Sequence, residues 1–146
     1  MQAALCSALL TLALAAACHA PGVESEIAFE RQAAGQIGMV LEAKNMVVKS
    51  AEEWRACSHP TAPGSATDLK DFDWSKHMLI AVALGSRPSG GYGIEIDHVV
   101  SKGSYWLVHA RETRPATGSL QTQMLTSPFD CVSTPRFEGT FVFVIE

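Results

Sequence analysis

Apolar residues along this chain alternate with a period of two through its second half and cluster without period at its start. Met78, Ile80, Val82 and Leu84 alternate with Leu79, Ala81 and Ala83, so residues 78–84 are apolar on both faces. That is the pattern of a central strand covered on both sides. Tyr92, Ile94 and Ile96 alternate with Gly93, Glu95 and Asp97, which predicts a half-exposed strand. Lys102-Gly103 turns the chain, and Tyr105 to Glu112 returns as a strand. Thr140 to Ile145, rich in Val and Phe, closes the chain as another. Met39-Val40-Leu41 and Asn45-Met46-Val47-Val48 read as one strand or a hairpin. Ser50 with Glu53 three residues later is a capping box, and acidic residues in the first turn suit the helix dipole. A short helix is therefore predicted near residues 50–59, with Trp54 and Cys57 on its buried face and Pro60 and Pro63 beyond its end. The sum is a mainly β domain: an antiparallel β-sheet sandwich or partial barrel with one short helix.

The start of the chain changes the picture of where this domain works. No charged side chain occurs in the first 17 residues, and Ala3 to Ala17 is apolar. The run is shorter than the ~18–20 residues of a membrane-spanning helix and fits the core of an export signal. Ala15-Ala16-Ala17-Cys18 resembles a bacterial lipoprotein signal, in which Cys18 becomes the lipidated N-terminus. Residues 1–17 then read as a signal peptide, 18–35 as a polar tether and 36–146 as the β domain. An exported lipoprotein, held by a lipid anchor on the periplasmic or outer side of a membrane, is the expectation.

Charge and cysteines narrow the partners. The net charge is −4, with acidic and basic residues mixed throughout. Without a basic stripe, nucleic acid is excluded as a partner class. Of the four cysteines, Cys6 leaves with the signal and Cys18 is consumed by lipid. Cys57 and Cys131 remain, either bridged in an oxidising compartment or as two buried thiols. A bridge would contribute at most roughly 4 kcal/mol through loop entropy.

The candidate chemistry concentrates in Gly85-Ser86-Arg87-Pro88-Ser89-Gly90-Gly91-Tyr92, between the two strands that end at Leu84 and begin at Tyr92. Gly85 and Gly90 have the spacing of a phosphate loop, but Gly91 and Tyr92 stand where Lys and Ser or Thr are needed, and a strand follows instead of a helix. Nucleotide binding is not expected. Ser89 lacks the G-x-S-x-G context of a nucleophile elbow. What remains is a stiff turn, with glycines for positive φ or close approach and Pro88 fixing one dihedral. A rigid loop with Arg87 and Tyr92 at its edges suits protein contact.

Elsewhere the residues support no site. A register that sets Ser101 against Ser104 makes His98 and His109 diagonal neighbours, without a third ligand on their face. Asp68, Asp71 and Asp73 lie in a loop whose Lys70 and Phe72 spoil a calcium pattern. No nucleophile, base and oxyanion donor assemble, so neither an enzyme nor a cofactor or metal is expected.

Residues 36–136 resemble the PrcB-like family of bacterial exported proteins. The resemblance rests on Asp71-Phe72, the strand Met78–Leu84 and the loop through Gly90-Gly91-Tyr92, with Ser89 where Thr is usual. Glu52-Glu53-Trp54, Arg114-Pro115-Ala116-Thr117-Gly118 and Thr126-Ser127-Pro128-Phe129 support it. It implies a non-enzymatic accessory subunit that stabilises an extracytoplasmic protease complex; residues 87–92 are, on the reading of the loop itself, the expected partner-binding segment. Pro88–Tyr92 also resembles, loosely, the loop of chagasin-like cysteine-protease inhibitors, and inhibition is the alternative expectation.

Overall fold

The computed structural model describes residues 24–36, 42–57, 69 and 71–146. The signal segment, Cys18, Met39-Val40-Leu41, Asp68 and the proline-bounded end of the helix lie outside the described residues.

Eight strands and one helix follow in chain order. They are β1 (Ser25–Glu26), β2 (Glu30–Gly35), β3 (Ala43–Val48), α1 (Ala51–Cys57), β4 (His77–Leu84), β5 (Gly93–Ser101), β6 (Tyr105–Thr113), β7 (Phe129–Pro135) and β8 (Thr140–Ile145). Two four-stranded sheets form, ordered β1-β5-β6-β8 and β2-β7-β4-β3. The result is a mainly β sandwich that does not close into a barrel.

The pairing departs from all-antiparallel at one place: β8 runs parallel to β6. Between them the chain crosses to the other sheet as β7 and comes back, so β8 enters its sheet in the direction of β6. The loop after β4 is likewise no hairpin turn. It carries the chain from the second sheet to the first, because β4 and β5 lie in different layers.

The doubly apolar pattern of residues 78–84 has a direct cause. Met78, Ile80 and Val82 face the space between the sheets, with Ile94, Ile96, Val99, Trp106 and Val108 opposite. Leu79, Ala81 and Ala83 face the other way, into a second apolar layer with Met46, Val48, Trp54, Phe129 and Cys131. Phe72, Trp74 and Leu69 cover this outer layer together with α1. In α1 the Glu53 amide donates to Ser50 Oγ at 3.1 Å, while the Glu53 carboxylate accepts from the Lys49 amide at 2.7 Å, one residue before the box expects. The helix is seven residues long, too short to stand in water unaided, so Trp54 docking holds it.

Residues 24–35, expected in the tether, are part of the sandwich. β1 pairs with β5 and β2 pairs with β7, so this segment joins one strand to each sheet. Arg31 fixes it. Its guanidinium donates to both oxygens of Asp130, at 2.9 and 3.0 Å, and to the Ile96 carbonyl. Asp130 is wholly buried in β7 and also accepts from the Ile96 amide at 2.7 Å. One carboxylate thus ties β2, β7 and β5 together.

Cys57 and Cys131 are free thiols in this structure, not a disulfide, and both touch the outer apolar layer. Burial, followed by the neighbouring Asp130 charge, pushes the Cys131 thiol up to about 12. Only the thiolate reacts with alkylating reagents. At mildly alkaline pH, Cys57 is expected to alkylate in the folded protein and Cys131 only after denaturation. Intact mass with and without denaturant, in unreduced protein, reads this out. Equal labelling of both in the folded state contradicts it.

Candidate protein-contact site

The site is built where the β4–β5 corner meets the long connection from β6 to β7. Gly85 takes a φ of 72° as the chain leaves β4. Arg87 and Thr126 exchange two backbone hydrogen bonds, at 2.7 and 3.0 Å. The Gly90 amide donates to the Thr122 carbonyl at 2.9 Å, and Thr126 Oγ1 donates to the Ser89 carbonyl at 2.8 Å. Loop 85–92 is therefore strapped along its length to residues 122–126.

Gly91 is the tightest point. Its φ is 82°, and a Cβ there would meet the Gln121 side chain and sit 2.9 Å from Pro115 Cβ. Gly103, in the β5–β6 turn, has nearly the same φ of 81° with nothing within 4 Å. Alanine at Gly103 should cost about 1–2 kcal/mol from the left-handed backbone alone. Alanine at Gly91 should cost more, because Pro115 and Gln121 must also move. Urea midpoints of the two variants test this, and equal losses would show that the two loops do not interlock.

Arg87 and Tyr92, the flanking side chains that the sequence singles out, engage each other. The guanidinium lies 5.7 Å from the Tyr92 ring centroid, within cation–π range. It also sits 3.8 Å from Glu112, which holds Arg114 through two hydrogen bonds of 3.0 and 3.3 Å. Arg114, and more weakly Arg87, hold the Glu112 carboxyl below its ordinary value, and Glu112 raises Arg114 in return. Tyr92 rests against the inter-sheet core, and its carbonyl accepts from Gln36 Nε2 at 2.8 Å. Pro88 is exposed, and the Ser89 hydroxyl is spent on the Gly90 carbonyl. Below Arg87 and Glu112 opens a cleft of about 390 Å³, floored by Ala83 and Leu84 and rimmed by Ala43–Asn45 and Ile145.

Sequence reasoning missed the apolar part of this surface. Leu120 is fully exposed, Leu125 is 72% exposed and Met124 46%, all on the connection that backs the loop. Three large apolar side chains among Thr, Gln and Gly, with no period, was the available signal.

The histidines pair differently from the expectation. Ser101 faces Trp106, and that register sets His98 directly opposite His109, ahead of a bulge between Ile96 and His98. The bulge turns Val99 inward. His98 Nδ1 lies 3.2 Å from Glu26. Among the described residues no three His, Cys, Asp or Glu side chains are grouped to hold a metal. Asp73 is engaged within its own turn by Ser75 and Lys76, which pull its carboxyl down to about 2.

The geometry defines a β-sandwich with two loops bonded into one face at one end. Residues 78–135 match the family model described as PrcB C-terminal, which supports a PrcB-like assignment of that segment. The match runs from β4 through β7 and so contains both loops. At the level of the family, it points to an accessory, protein-associating role around a protease. No curated protein and no solved structure matches the chain.

Proposed function

We propose that the chain is a non-enzymatic accessory subunit of an extracytoplasmic protease complex, exported and held at a membrane by lipid on Cys18. The observation that carries this reading is the family match over the segment that builds the interlocked loops. The loops supply what a contact face needs: a rigid backbone, an Arg–Tyr pair, and apolar side chains left in water. Arg and Tyr are among the residues where binding energy concentrates in interfaces. Because residues 86–92 lie against 122–126, they offer a broad face rather than a projecting finger, which favours a stabilising subunit over a chagasin-like inhibitor.

Tagged full-length protein, recovered from solubilised membranes of its native host, tests the proposal. A protease should co-purify with the wild type. The Leu120→Asp, Leu125→Asp double variant should lose about tenfold or more of it, the loss expected from removing interface anchors. Recovery of no protease would overturn the accessory role, and undiminished recovery would remove this face from it. Cys18→Ala should move the protein from the membrane pellet to the supernatant. Retention in the pellet would remove the lipid anchor.

A further inference from the structure

Four strands have a neighbour on one side only among the described residues: β1 and β8 in the first sheet, β2 and β3 in the second. A bare row of backbone N–H and C=O groups invites another strand, so solvent-facing edges are ordinarily short, charged or bulged. Three of these four are. β1 has two residues. β2 carries Glu30 and Arg31 and a register shift between Arg31 and Ala33. β3 exposes Lys44. β8 has none of these devices: six residues, no charge, no proline and an unbroken register against β6.

We infer that β8 pairs with β8 of a second copy of this chain. Its hydrogen-bonding direction is fixed by Glu146, whose amide donates to Ala110 and whose carbonyl accepts from Glu112. Even-numbered residues of β8 therefore turn their backbone to β6. Phe141, Phe143 and Ile145 turn theirs outward.

A two-fold contact must be self-complementary, and this strand is. With the axis at Phe143, the outward groups of both copies meet. Phe141 then faces Ile145, Val142 faces Val144, and Thr140 faces Glu146. The cross-strand pairs are apolar except at the ends, the kind that stabilises a ladder. Moving the axis to Val142 sets Glu138 against Glu146, and like charges directly opposite select against that register. Pairing at Phe143 covers Val142 and Ile145, which are 42% and 41% exposed. It also continues the sheet through both copies.

Sedimentation velocity of the full chain in density-matched detergent, from low to high micromolar concentration, is the test. The wild type should convert from monomer to dimer as concentration rises. Val142→Lys and, separately, Val144→Lys should lose the dimer while keeping the wild-type circular dichroism spectrum. Hydrogen exchange at the Phe141, Phe143 and Ile145 amides should slow as the dimer forms. A monomer at every concentration, a dimer that survives both lysines, or exchange at these amides that ignores concentration would each overturn the inference. None of these results depends on a protease being present.

Discussion

Replacing Trp106 by alanine is expected to cost about 3–5 kcal/mol, the range for removing a buried tryptophan. Trp106 is 5% exposed and lies in the layer between the sheets. Its ring stacks on Phe137 at 4.6 Å and 4°, and Phe141 meets it edge-on at 5.9 Å. Phe137 cannot follow the vanished ring freely. It lies against Gly139, where even a Cβ would collide with it and would come within 2.8 Å of the Ser104 carbonyl. The cavity therefore stays largely open, and the loss belongs to the upper part of the range. On the order of 10 °C or more in Tm should follow. Urea unfolding should show a lower midpoint at unchanged slope, the mark of lost stability rather than altered compactness. Trp106→Phe should recover part of the loss by keeping a ring face. A cost below about 1 kcal/mol for alanine would mean that the site repacks and that the aromatic cluster does not hold the sheets.

Arg31→Ala is expected to cost about 3 kcal/mol, at the low end for breaking a buried pair because the guanidinium side is partly wet. Its side chain is 39% exposed, whereas that of Asp130 is 0% exposed. The asymmetry decides the sign of a second experiment. Removing Arg31 strands a carboxylate whose remaining described donor is the Ile96 amide. Removing the charge as well, in Arg31→Ala with Asp130→Asn, should restore part of the stability, since an amide oxygen can still accept from Ile96. A double variant no more stable than Arg31→Ala would show that the lost packing of the Arg31 stem, not the stranded charge, was responsible. Chemical denaturation of the two single variants and the double variant forms the cycle that separates these terms.

The same pair explains what could not be read along the chain. β4 was legible because each of its faces meets an apolar layer. β2 and β7 were not, because their sequences, Glu-Arg-Gln-Ala-Ala-Gly and Phe-Asp-Cys-Val-Ser-Thr-Pro, show no apolar alternation. Their polar residues engage each other instead: Arg31 bonds the buried Asp130, and Gln32 the buried Ser133 at 2.9 Å. Each partner lies about a hundred residues away in sequence, a distance no local pattern reports. The hairpin register failed for a smaller reason: the turn sets Ser101 opposite Trp106 rather than Ser104, and with it His98 opposite His109. At the candidate site, Arg87 and Tyr92 flank the corner, as their place in the sequence suggests, and they touch each other. Their mutual contact, the strap of residues 122–126 and the exposed leucines depend on a loop brought in from the other end of β6, and only the fold reveals them.

The course of β1 and β2 sets a direction for the whole molecule. β1 joins β5 at Val100 and Ser101, beside the Lys102-Gly103 turn, and Glu24 pairs with Lys102 there. By Gly35 the chain has reached Phe129, and Gln36 lies at Ser127 and Tyr92, on the loop side. The chain thus enters at one pole of the sandwich and travels its full length before the rest of the domain begins. β5 spans the same length in nine residues, about 30 Å at the rise of an extended strand. In the proposed lipid-anchored state, the Lys102 turn lies toward the mooring and the Arg87 corner is carried outward by that distance, so the reach of the proposed contact face would be set by the strand length of the sandwich itself.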